Sequence, residues 1–140
     1  MTSGLDLYLH QHADLLRAAK ALESDLDGGW RPGGAEVARG HLLHLSGKLT
    51  VHLQMEDRSL YPELLGSADP AVRAVAARFQ DSMGGLKAVA AQFFHRWLGN
   101  GSIDADPAAF SLDARAVLGA LAERIAAEDA QLYPLVEPKG

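Results

Sequence analysis

The chain has 140 residues, enough to bury a core without staples, and 48% hydrophobic against 22% charged residues places it among ordinary globular proteins. A net charge of −5 with no basic block argues against nucleic acid as a partner, and the absence of cysteine removes disulfides, thiolate metal sites and thiol nucleophiles together. The opening "MTSGLDLYLHQH" lacks the basic and apolar regions of a signal peptide, and no apolar run approaches the roughly 18 residues of a membrane span, so a cytoplasmic, non-membrane protein is expected.

Breakers divide the chain. "DGGWRPGG" (27–34) reads as a loop, while "GSADP" (66–70) and "GNGSIDADP" (99–107) each place an aspartate N-cap before a proline at the first helical position. The segments between them are rich in Ala, Leu, Arg and Glu, which predicts helices over 3–27, 35–65, 70–98 and 107–136 and no strand. Short connections between long helices favour antiparallel neighbours. The expectation is an all-α, up-down-up-down antiparallel four-helix bundle forming one domain over 1–140.

Helical periodicity then sorts inward from outward residues. The stripe of the first predicted helix is Leu5, Leu9, His12, Leu15/Leu16, Ala19, Leu22 and Leu26; His10 lies off it. In the second, His41, Leu45, Leu49, His52, Glu56 and Leu60 share a stripe, and a carboxylate there must meet a cation, a metal or a proton. The third carries Val72, Ala76, Phe79, Met83, Leu86, Ala90, Phe93 and Trp97 inward. In the fourth, Leu121, Arg124, Glu128 and Leu132 face the core, so Arg124 and Glu128 mirror His52 and Glu56.

That mirror is part of a longer repeat. "HLQMEDRSLYP" from His52 and "RIAAEDAQLYP" from Arg124 share Glu-Asp and Leu-Tyr-Pro at the same offsets, and Met83 precedes Arg124 by nearly the interval that separates His12 from His52. The chain therefore reads as two helical hairpins, each offering one position on its first helix and an x-x-x-Glu pair on its second. Imidazoles and carboxylates so placed are suited to iron in a bundle core.

"HLQMEDRSLYP", preceded by His12 in "LHQHADLL", resembles the hemerythrin-like (HHE cation-binding) domain family over essentially the whole chain. The resemblance implies a non-haem di-iron centre and members that bind oxygen, sense oxygen or iron, or handle peroxide and nitric oxide. His12, His52, Glu56 and Glu128 match its ligand positions, with Asp129 as an alternative, shifted acid. Phe79, Met83 and Arg124 stand where the other histidines are expected, and these side chains do not supply imidazole nitrogens. A half-site is expected, with Arg124 balancing Glu56 and Glu128 where a second ion would sit and Phe79 and Met83 filling the vacated space.

Two readings stay open at this level. In one, His12, His52, Glu56 and Glu128 hold one iron or zinc ion, and the domain binds or senses, with dioxygen or another small diatomic as candidate ligand. In the other, Arg124 and the glutamates neutralise each other, and the bundle is a metal-free interaction module serving a protein partner or a homodimer. Peroxide or nitric oxide handling at iron ranks third, and catalysis is not the expectation. His41, His44 and His95 are grouped as a remote second cluster of low weight, and Tyr61 and Tyr133 as packing residues.

Overall fold

A computed structural model describes residues 4–28, 30 and 32–136. Helix α1 spans Gly4–Asp27 and α2 spans Gly34–Met55; α2 runs through a π-helical turn, Glu56–Leu60, into the short α3, Tyr61–Leu65. Then come α4 (Pro70–Trp97), α5 (Ser102–Ala105) and α6 (Pro107–Ala127), which continues through a second π-helical turn, Glu128–Leu132, into a 3₁₀ turn, Tyr133–Leu135. The four long helices pack as an antiparallel bundle, α1 against α2 and α6, and α4 against α6. Among the described residues there is no strand, and no helix is long and apolar enough to cross a membrane.

The expected caps form. Asp69 accepts the backbone N–H of Ala71, Asp106 accepts that of Ala109, and a proline follows each at the first helical position. Each side chain satisfies one of the donors that a helix N-terminus leaves unpaired. The loop 99–107 holds an unexpected element, α5, entered through Gly101 at φ 79°, a conformation that glycine adopts without steric cost. Its Ile103 is buried in the main core.

The inward stripes hold with one shift. In α1, Tyr8 is buried and Leu9 and Leu16 are exposed, so the stripe runs Tyr8, His12, Leu15, Ala19, Leu22, Leu26 rather than through Leu9. Its polar members divide the core in two. The larger apolar cluster joins Leu15 to Leu26 of α1 with Leu42, Leu45, Phe93, Trp97, Phe110 and Leu118, and Trp30 closes that end against Phe110 at 6.0 Å between ring centres. The smaller gathers Tyr8, Leu60, Tyr61, Leu64, Phe79, Leu132 and Tyr133. Between them lie His12, His52, Glu56 and Glu128, each no more than 2% exposed.

Both π turns start at a glutamate of the repeat and end just before its Tyr-Pro. Tyr61 N–H donates to Glu56 O, and Tyr133 N–H to Glu128 O, five residues back instead of four. A proline inside an α-helix has no N–H to donate, and its ring collides with the carbonyl four residues earlier. Widening the turn ahead of Pro62 and Pro134 relieves that collision without ending the helix. Where Leu-Tyr-Pro reads in sequence as a bend or stop, the chain makes a bulge.

Candidate metal centre

Each side chain of the centre is placed by the element beneath it. His12 lies in the first half of α1 and His52 near the end of α2; Glu56 and Glu128 open the two π turns. One ligand-capable atom from each of the four residues falls within 4.8 Å of the others. His12 Nε2 is 3.0 Å from Glu128 Oε1, while His52 Nε2 is 3.5 Å from Glu56 Oε1 and 3.8 Å from Glu128 Oε1.

The outer nitrogen of each imidazole is held from behind. His12 Nδ1 donates to Asp129 Oδ1 at 2.8 Å, and His52 Nδ1 donates to Gln11 Oε1 at 2.7 Å. Because a carboxylate and an amide oxygen only accept, both rings turn Nε2 toward the centre, the arrangement that metal-binding histidines use. Asp129, the alternative acid, thus does not enter the cluster: it stands behind His12, with its side chain 42% exposed. Gln11 also donates to Met55 Sδ and lines an open groove between α1 and α2 with His10 and His44.

Inside the cluster, hydrogen bonding is incomplete. His52 Nε2, Glu56 Oε1, Glu128 Oε2 and Arg124 Nε are all buried without a hydrogen-bond partner. Orphaned buried polar atoms are costly. Arg124 Nε and Glu128 Oε2 at least face each other at 3.6 Å, whereas His52 Nε2 and Glu56 Oε1, 3.5 Å apart, offer lone pairs that suit a shared cation. Two imidazoles and two carboxylates form a donor set that iron and zinc both accept. The residues fit one ion.

Electrostatics agree. Burial pulls the His52 imidazolium down, but Glu128 and Glu56 outweigh it and raise its pKa to about 9. Burial and the neighbouring Glu128 raise Glu56, against the pull of His52. Burial also works against ionised Glu128, yet His12, His52 and Arg124 hold it below the usual carboxylate range. Without an ion the centre therefore carries protons in its place.

Arg124 meets the expectation at Glu128 but not at Glu56. Its Nε lies 3.6 Å from Glu128 Oε2, so it faces one glutamate and not both. The terminal nitrogens turn away, donating to Tyr61 Oη at 2.6 Å, Ser82 Oγ at 2.6 Å and the Phe79 carbonyl at 2.7 Å, and the guanidinium stacks on the Phe79 ring. Glu56 is engaged elsewhere: Tyr133 donates to its Oε2 at 3.0 Å, and its Oε1 lies 3.5 Å from His52 Nε2. Phe79 and Met83 are 8% and 2% exposed, and the Phe79 ring is the one that lies against the guanidinium.

Sequence reasoning undervalued the tyrosines. Tyr133 touches His12 Nε2 at 2.9 Å as well as Glu56, and Tyr61 anchors Arg124. Their signal was present in the repeat, since each sits five residues after its glutamate. Gln11 carried no signal beyond its place beside His12. The remote histidines do not assemble: His41 pairs with Asp25, His10, His44 and His95 are exposed, and no second metal cluster exists among the described residues.

An antiparallel four-helix bundle with two histidines and two glutamates converging in its core defines a helical metal-binding domain. The family model for the hemerythrin HHE cation binding domain matches residues 3–136, and the chain belongs to that family. Its buried cluster has fewer ligands than a binuclear centre needs and is able to coordinate a single metal ion. Searches of curated proteins and of solved structures return no match.

Proposed function

We propose that this domain binds one divalent ion, iron or zinc, through His12, His52, Glu56 and Glu128, and serves as a binding or sensing module. The observation that carries the reading is that His12, His52, Glu56 and Glu128 each bring a ligand-capable atom within 4.8 Å of the others, with His52 Nε2 and Glu56 Oε1 buried and without a hydrogen-bond partner. When bound, the ion would supply an electrophilic centre for an exogenous ligand such as dioxygen or another small diatomic. Asp129 and Gln11 orient the imidazoles, and Tyr133 holds Glu56 so that Oε1 stays free. Membership of the hemerythrin family supports binding or sensing over catalysis, and a cytoplasmic setting fits the sequence reading.

The test is elemental analysis of protein purified without a nickel column. It should give close to one iron or zinc per chain in the parent and none in His52→Ala/Glu56→Ala. Two tightly held ions per chain would overturn the half-site reading, and no uptake of Fe(II), Zn(II) or Co(II) would overturn metal binding altogether. A second reading, a metal-free interaction module acting on a protein partner or as a homodimer, rests on Arg124 already standing 3.6 Å from Glu128. It requires that last result.

A pH dependence follows. The folded pKa of metal-free His52 is raised to about 9, so its stabilising contribution is fully present below about 6.5 and is lost as pH rises through 9. A bound ion must displace that same proton, so apparent affinity should climb by about tenfold per pH unit for each proton released. The gap in unfolding midpoint between metal-loaded protein and protein in chelator should therefore widen from pH 6 to pH 9. A gap that is constant across that range would mean that His52 Nε2 is not a ligand.

A further inference from the structure

We infer that Arg124 makes the centre selective for a divalent over a trivalent ion, an inference that rests on the metal-binding reading above. Glu56 and Glu128 bring two negative charges into a volume closed to solvent, and Arg124 brings one positive charge beside them. Counting these three groups, a divalent ion leaves one excess positive charge and a trivalent ion two; Asp129, behind His12 and 42% exposed, lowers both counts equally and leaves their difference unchanged. On the three-group count, the divalent complex without Arg124 would be neutral.

The guanidinium is built in, not a side chain that can swing out as an ion arrives. Tyr61, Ser82 and the Phe79 carbonyl hold its terminal nitrogens, the Phe79 ring lies against its face, and the side chain is only 11% exposed. Its Nε points at Glu128 Oε2 from 3.6 Å and has no hydrogen-bond partner of its own. An ion held by Glu128 would lie close to a fixed positive charge, on the order of 6–7 Å away for a Coulomb estimate. At that range each additional unit of ionic charge weakens binding on the order of tens of fold, even with the moderate effective dielectric that suits buried sites. The same residue that excludes a second ion sets the valence of the first.

The experiment compares Fe(II), measured anaerobically, with Fe(III) presented as its citrate complex, in the parent, R124Q and R124K. The ratio of Fe(III) to Fe(II) affinity should rise tenfold or more in R124Q, which removes the charge, and stay near parental in R124K, which keeps it. Arg124→Met makes the same charge change should the glutamine variant fail to fold. An unchanged ratio in a folded neutral variant that still takes up Zn(II) and Fe(II) overturns the inference and leaves the metal centre standing. Failure of the parent to bind any of Fe(II), Zn(II) and Co(II) overturns the reading beneath it. A ratio that rises equally in R124K and R124Q assigns the effect to shape and overturns the charge argument.

Discussion

Arg124→Ala should destabilise the metal-free protein by about 3 kcal/mol or more, the range seen when one partner of a buried charged pair is removed. An exposed ion pair would be worth less than about 1 kcal/mol, so burial decides the magnitude. Arg124 is 11% exposed and Glu128 only 2%, measured on their side chains. Truncation also leaves the Tyr61 hydroxyl, in a residue with no exposure, without its 2.6 Å donor, and removes the cation stacked on Phe79. Denaturant unfolding in the presence of chelator checks this. A loss under 1 kcal/mol would show that Glu128 does not depend on the guanidinium.

The second large effect is a gain of stoichiometry. Phe79→His/Met83→His/Arg124→His should raise iron content from one toward two per chain, because it returns imidazoles to the side of the bundle that Arg124 and Phe79 now close. Phe79 and Met83 are buried one helical turn apart on α4, and Arg124 already reaches the Phe79 carbonyl at 2.7 Å from α6. Phe79 and Arg124 therefore meet beside Glu128, with Met83 one turn further along α4. Lost packing should cost on the order of 1–3 kcal/mol at each of Phe79 and Met83, recovered only as metal binds the folded state. The variant should thus melt lower than the parent in chelator and gain more on anaerobic Fe(II) addition. If it folds and its iron content stays parental, the two hairpins are not copies of one ligand layout.

Much of this arrangement was legible in residue order because the physics behind it is local. Caps at Asp69 and Asp106 depend on a side chain and the next few N–H groups, so the starts of α4 and α6 could be read directly. Helical periodicity needs only the positions of apolar residues, and it brought His12, His52, Glu56 and Glu128 to the interior, where all four are buried. A single off-register choice at Leu9 shows its limit: where apolar residues crowd at Leu5, Leu7, Tyr8 and Leu9, period alone does not say which one meets the partner helix.

What depended on the tertiary structure was the direction of each polar group. In a regular α-helix a residue five positions on lies about 140° around the axis, which put Tyr61 and Tyr133 away from their glutamates. The π turns ahead of Pro62 and Pro134 close five residues back and swing both tyrosines inward, one to Arg124 and the other to His12 and Glu56. Asp129 and Gln11 likewise gained their roles from α1 packing against its neighbours, since each pairs with a residue on another element. Residue order is enough to specify a helical bundle with two histidines, two glutamates and an arginine facing inward, because burial follows from the spacing of apolar side chains. Only the folded chain decided that the arginine faces one glutamate and clasps a tyrosine, because hydrogen-bond partners are chosen by distances across the bundle that no local pattern encodes.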